Sequence, residues 1–231
     1  MKRHIALIFT LIAAISILAT GCGSSSTLST EQNSKTLTDC LALTQNVDSV
    51  EADMITKSEA DGQSININMN MKIEDMKKDI KCQVAMDSNG KKQELYLSVI
   101  DGKATVYTKD ESGKYTATSA DASFVGDIDV TKSYNAYIDI IKKNADWVTS
   151  TGKKSYLLTI PKDKSAEIYE QITGNSTNGT SLDSLKIEFL IGDDSYLKTI
   201  KLTTIVGTVK VSVDTNYYNY NKKFNIVIPQ V

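Results

Sequence analysis

Gln63–Glu74 reads QSININMNMKIE. Ile65, Ile67, Met69, Met71 and Ile73 alternate without a break with Ser64, Asn66, Asn68, Asn70 and Lys72. Strict period-2 patterning places the apolar set on one face of a strand and the polar set on the other. Asn is a weak strand former, but a pattern this long outweighs single-residue propensity. At about 3.3 Å per residue the strand spans roughly 36 Å, well beyond the usual length. A sheet built on it has one long dry face that must be covered.

The neighbouring segments repeat the pattern. Val50, Ala52 and Met54 alternate with Glu51 and Asp53, and Asp61-Gly62 marks the turn between them and the long strand. Ile80, Cys82, Val84 and Met86 alternate with Lys81 and Gln83, and Ser88-Asn89-Gly90 forms an Asn-Gly hairpin turn. Residues 94–100, 104–109 and 115–118 continue a meander of short strands. Further on, 155–160, 185–191, 196–205, 208–216 and 225–228 read as strands, with Pro161 and Pro229 as end punctuation.

Two stretches change to helical period. Leu37, Cys40, Leu41, Thr44 and Val47 share one face over residues 36–47, with Ser34 or Thr36 available as cap. Tyr134, Tyr137, Ile138, Ile141, Ala145 and Val148 do the same over 130–148, with Asp129 or Thr131 at the start. Residues 165–172 form a short helix stopped at Gly174. Runs of strands interrupted by a few helices indicate an α+β fold: a curled antiparallel sheet, an open half-barrel. Two long helices and one short one cover its concave apolar face.

The N-terminus sets the compartment. Lys2 and Arg3 precede an apolar run over residues 5–18, too short for a membrane span and suited to a signal peptide. Ala19-Thr20-Gly21-Cys22 resembles the lipobox of bacterial lipoproteins, with Ala19 where Leu is usual. The resemblance implies cleavage after residue 21 and a diacylglyceryl group on Cys22. More than one acyl chain makes such anchoring stable. Residues 22–35 read as a Ser/Thr-rich flexible tether and 36–231 as one domain. The expected location is the extracytoplasmic face of a cell membrane, in a Gram-positive envelope, as a monomer.

The whole chain has 26 basic and 28 acidic residues, net −2; losing Lys2 and Arg3 with the leader takes it to −4. Charges are dispersed, so nothing marks a nucleic-acid partner. The only His is His4, inside the leader. The mature chain therefore has no His for a nucleophilic triad or a zinc site. No phosphate-loop or nucleophile-elbow pattern occurs. Asp87-Ser88-Asn89-Gly90 and Gly192-Asp193-Asp194 are explained by turn chemistry rather than calcium. The expectation is a protein without enzymatic activity, metal or cofactor. An enzyme using carboxylates alone is the weakest alternative.

Two cysteines remain besides Cys22. Cys40 lies on the first helix's apolar stripe and Cys82 on a strand's dry face. They either bridge, which an extracytoplasmic compartment allows, or serve as two small buried hydrophobes. Met54, Met69, Met71, Met76 and Met86 crowd the first third of the domain. Met adapts to varied apolar shapes, whether as core filler or as cavity lining. Trp147, Tyr217, Tyr218 and Tyr220 suit sheet packing or an aromatic rim.

The sum of elements resembles the LolA/LppX/LprG-like lipoproteins, including the uncharacterised Gram-positive branch. The tail Tyr218-Asn219-Tyr220-Asn221-Lys222-Lys223-Phe224-Asn225-Ile226-Val227-Ile228-Pro229 is similar to the family's closing pattern, departing at Lys223 where Pro is common. The resemblance implies a half-barrel that holds acyl chains, without catalysis. The expected function is then binding of a lipid or other hydrophobic ligand, with Ile67, Met69, Met71, Cys82, Val84 and Met86 as candidate lining. The alternative is a non-catalytic platform for a protein or envelope polymer, using the Asn-rich wet face of residues 64–72.

Overall fold

The computed structural model describes residues 29–110, 112–120, 130–174 and 176–231, without the side chains of 130–132. The expected leader, Cys22, residues 23–28 of the expected tether and the expected cap Asp129 lie outside them.

Eleven strands form one antiparallel sheet, in the order β6-β5-β4-β3-β2-β1-β11-β10-β9-β8-β7. The strands are β1 (Val50–Ala60), β2 (Gln63–Glu74), β3 (Ile80–Ser88), β4 (Lys91–Ile100), β5 (Lys103–Lys109) and β6 (Tyr115–Ala120), then β7 (Val148–Gly152), β8 (Ser155–Ile160), β9 (Ser184–Ile191), β10 (Leu197–Val206) and β11 (Val209–Tyr218). Two meanders, β1–β6 and β7–β11, are thus sewn together by one long-range pairing, β1 with β11. The end strands β6 and β7 do not pair, so the curled sheet stays open. Among the described residues the α-helices are α1 (Thr30–Thr44), α2 (Val130–Lys143) and α3 (Ser165–Thr173). The α+β half-barrel expected from the patterning is the fold observed.

Turn chemistry sets the register of three hairpins of the first meander, β1–β2, β3–β4 and β4–β5. At Asp61-Gly62, Asn89-Gly90 and Asp101-Gly102 both central residues have positive φ, the twist that two-residue hairpins need. β2 has the bounds its alternation predicts. Ile67, Met69 and Ile73 turn inward, while Ile65, near the strand's free end, stays exposed.

Several expectations are corrected. α1 starts at Thr30, so Thr30–Lys35 of the expected tether are helical. Its cap is Ser29, in a reciprocal capping box with Gln32. Ser34 instead donates to the Ile141 carbonyl of α2, and Thr36 to the Gln32 carbonyl. α2 stops at Lys143, because Asn144 leaves helical geometry and its side-chain amide caps the Ile140 carbonyl. A 3-10 turn follows, and Val148, placed on the helix by its spacing, opens β7 instead. Residues 225–228 are not a strand: the N–H groups of Asn225 and Ile226 go to the Glu74 side chain rather than to a neighbouring strand.

The main core lies between the helices and the second meander. Leu37, Cys40 and Leu41 of α1 and Tyr134, Tyr137, Ile138, Ile140 and Ile141 of α2 pack on Val148, Leu158, Ile187, Phe189 and Leu202. α3 adds Ile168 and Ile172. Thr44 fastens the end of α1 to the sheet: its hydroxyl accepts the Leu197 N–H at 3.0 Å and donates to the Cys40 carbonyl.

Candidate functional site

The first meander is built differently. The Asp61-Gly62 turn sets Met54 of β1 opposite Met69 of β2, and the β2–β3 register sets Met69 opposite Met86. One row across three strands is therefore Met86, Met69, Met54. The adjoining rows are Val84, Met71, Ala52 on one side and Ser88, Ile67, Thr56 on the other. Ile67, Met69 and Met86 form a buried cluster, with Met54 and Val84 partly buried against it. No residue of α1, α2 or α3 belongs to it; α1 packs on β7, β9 and β10, α3 on β9, and α2 chiefly on α1 and α3. The two long helices therefore roof mainly the second meander, not the whole concave face.

Of the six expected lining residues, the structure brings five to this patch. Ile67, Met69 and Met86 are at its centre, Val84 beside them, and the half-buried Met71 stands opposite Val84. Cys82 does not join them. It sits two residues further along β3, in a second cluster with Val47, Val50, Ile73, Met76, Leu97, Val99 and Ala104. Met54 was not among the expected residues. The signal was present, since a two-residue turn at Asp61-Gly62 makes 54 and 69 cross-strand partners.

Cys40 and Cys82 are both free. The bridge weighed above does not form in the structure, because Cys40 packs under the helical roof and Cys82 within the first meander. Burial pushes the Cys40 thiol up to about 11 and the Cys82 thiol up to about 12.

Tyrosines occupy the seam between the halves. Tyr217 packs against both the main core and the Cys82 cluster, and its hydroxyl hydrogen-bonds that of Tyr134. Burial holds Tyr134 well above the usual phenol range and Tyr217 at about 12, so both hydroxyls stay neutral. Tyr220 stacks on Tyr196 with ring centres 4.7 Å apart and donates to the Leu197 carbonyl. These rings are packing elements rather than an exposed rim.

Sequence reasoning missed Glu74. This buried carboxylate ends β2 and gathers the C-terminal tail. Oε2 accepts the N–H groups of Phe224 at 3.2 Å and Asn225 at 3.0 Å, and Oε1 accepts that of Ile226 at 2.9 Å. Asn225 adopts φ of 57°, which points successive N–H groups at one anion. The tail is further tied by Asn221 N–H to the Ser49 carbonyl and Ser49 Oγ to the Lys222 carbonyl. Beside it lies a groove of about 740 Å³ lined by Asp48, Glu74, Lys77, Lys81, Lys223 and Ile226 among others. Its mixed charge includes close pairs, Lys77–Asp48 at 3.0 Å and Lys81–Asp75 at 3.1 Å.

The outer face of the same strands is polar. The Asn70 amide donates to Asp53 at 2.9 Å and to the Tyr218 hydroxyl, which donates to Asp53 at 3.0 Å. Glu94 accepts from Gln83, Tyr96 and Tyr115, and these bonds hold its carboxyl below the usual range. Among the described residues no group of His, Cys, Asp and Glu could hold a metal ion. No described helix is long and apolar enough to cross a membrane.

An open antiparallel half-barrel roofed on one side by helices defines the class of fold. No family model and no curated protein sequence matches the chain. Solved structures do resemble it. The Mycobacterium tuberculosis lipoprotein LppX is 12% identical over 86% of this chain and 100% of its own, with a TM-score of 0.52. LprF from Mycobacterium bovis is 16% identical over 90% of this chain and 99% of its own, with a TM-score of 0.51. At these identities the likeness is one of fold: the chain adopts the LolA/LppX-like architecture.

Proposed function

We propose that this protein is a lipoprotein of the cell envelope, anchored through Cys22 at the extracytoplasmic face, that binds a lipid or other hydrophobic ligand on the Met-rich half of its sheet. The observation that carries the reading is the Met86–Met69–Met54 row. It is a continuous apolar face of deformable side chains to which no described helix contributes a cluster member. Unbranched thioether side chains re-pack around varied apolar shapes, as an acyl-binding surface requires. Each 100 Å² of acyl surface removed from water contributes about 2.5 kcal/mol. The half-barrel fold shared with LppX and LprF supports the reading, as does the lipobox-like Ala19-Thr20-Gly21-Cys22 after the apolar N-terminal run. The lining assigned is Ile67, Met69, Met71, Val84 and Met86, joined by Met54. No residue is assigned a catalytic role.

Native mass spectrometry of the protein purified from its own host tests this. A co-purified lipid mass is expected, lost in Met69→Asp or Met71→Asp while the fold survives. A lipid-free mass under gentle conditions would overturn it. The ordered outer network of Asn70, Asp53 and Tyr218 would then favour the platform reading, to be pursued by partner capture.

A further inference from the structure

Thr56 stands on the dry face of β1, opposite Ile67 on β2 and Val213 on β11. Along its own strand the next residue on that face is Met54. Its side chain is 1% exposed, and its hydroxyl oxygen has no hydrogen-bond partner among the described residues. A buried hydroxyl without a partner costs about 1–3 kcal/mol. Val would fill nearly the same volume without that cost, so packing alone does not account for Thr here. Three other buried polar atoms are likewise unpartnered: Asn33 Oδ1, Gln45 Oε1 and Thr203 Oγ1. The first two belong to α1 and its C-cap, and Thr203 alternates with the inward Leu202 and so faces outward. Only Thr56 adjoins the methionine row.

We infer that Thr56 is the polar contact of the acyl site, its O–H donating to the carbonyl oxygen of an ester in the bound lipid. This rests on the acyl-binding reading above and narrows it. The site takes esterified acyl chains in preference to ether-linked chains, because the ester carbonyl accepts a hydrogen bond that an ether oxygen accepts poorly. The carbonyl also satisfies the one polar side-chain atom that the apolar patch leaves unpaired.

The test is competition against a bound fluorescent polyene fatty acid, cis-parinaric acid, on the whole chain from Cys22 onward. Two competitors of equal chain length are compared, monoolein and 1-O-oleyl glycerol, which differ in the ester carbonyl. Wild-type protein is expected to favour the ester by about fivefold, the ratio one net hydrogen bond supplies. Thr56→Val should abolish the preference while binding the ether as well as wild type, and Thr56→Ser should keep it. A preference absent from wild type, or unchanged in Thr56→Val, would overturn the inference and leave the acyl site standing. Failure of wild type to bind the polyene or either competitor would instead remove the acyl-binding reading itself, and this inference with it.

Discussion

The two meanders share one sheet and are built from the same alternation, yet they are finished differently. β7–β11 lie under three helices, and their core is made of Phe189, Tyr137, Tyr134 and branched aliphatics. Phe189 and Tyr137 meet edge to face with ring centres 5.4 Å apart. Such side chains have few rotamers and fill a fixed shape. β1–β5 carry methionines, an orphan threonine hydroxyl and no helix residue in their clusters. One half is a closed core that holds the fold. The other buries Ile67, Met69 and Met86 in a cluster of adaptable side chains that takes no member from a described helix.

That contrast can be broken by mutation. Phe189→Ala should have the largest effect, about 3–5 kcal/mol of lost stability by urea unfolding, since it opens a cavity in the shape-filled half. A loss below about 1 kcal/mol would mean that half is not the stabilising core. Glu74→Ala should come next. It leaves three N–H groups of the tail without their acceptor and should cost roughly 2–3 kcal/mol. Amide exchange at 224–226 should accelerate well before exchange in α1. Equal acceleration of both would show that the tail is not a separable strap.

Met69→Leu with Met86→Leu should change stability by less than about 1.5 kcal/mol, because the volume is nearly conserved. The same pair should narrow the range of acyl-chain lengths recovered in lipid extracts, as branching removes adaptability. An unchanged range would place the methionines among ordinary core fillers.

The cysteines offer the mildest comparison, one in each half. Their folded pKa values are raised to about 11 and about 12 from an ordinary 9.0, so the folded state holds the proton more tightly. The resulting stabilisation is complete below about pH 9 and is lost as pH rises to about 12. At pH 8 neither thiol should react with N-ethylmaleimide without opening. Cys82 should be labelled before Cys40, since its cluster takes no member from a described helix and opening it exposes less buried surface. Equal labelling rates would mean that both halves open as one unit.

Much of this arrangement was legible beforehand because it is local. Period-2 alternation in Gln63–Glu74 requires only that the chain be extended, and an Asn-Gly or Asp-Gly pair needs only its own backbone to turn. Register follows from the two together across Asp61-Gly62, which is why the Met54–Met69 pair is readable from residue numbers alone, while Met69–Met86 pairs across the longer connection 75–79. Other features depend on partners distant in sequence. Val148 fits a helical stripe as well as a strand, and Asn144 decides between them by leaving the helix. Residues 225–228 alternate like a strand, but the N–H groups of Asn225 and Ile226 are captured by Glu74, about 150 positions earlier. An apolar stripe on α1 announces that it will be buried, yet Thr44 and Leu197 determine where.

The sequence by itself thus determined the apolar N-terminal run that stops ahead of Cys22, the single histidine at His4, the extended segments and the faces they would bury. Tertiary structure alone decided which meander the helices would roof, that Cys40 and Cys82 would stay apart, and that Thr56 would be buried without a partner. The physical reason is that periodicity tells a residue which way to face, while the identity of what it faces is set by pairings such as β1 with β11, made across more than 150 residues.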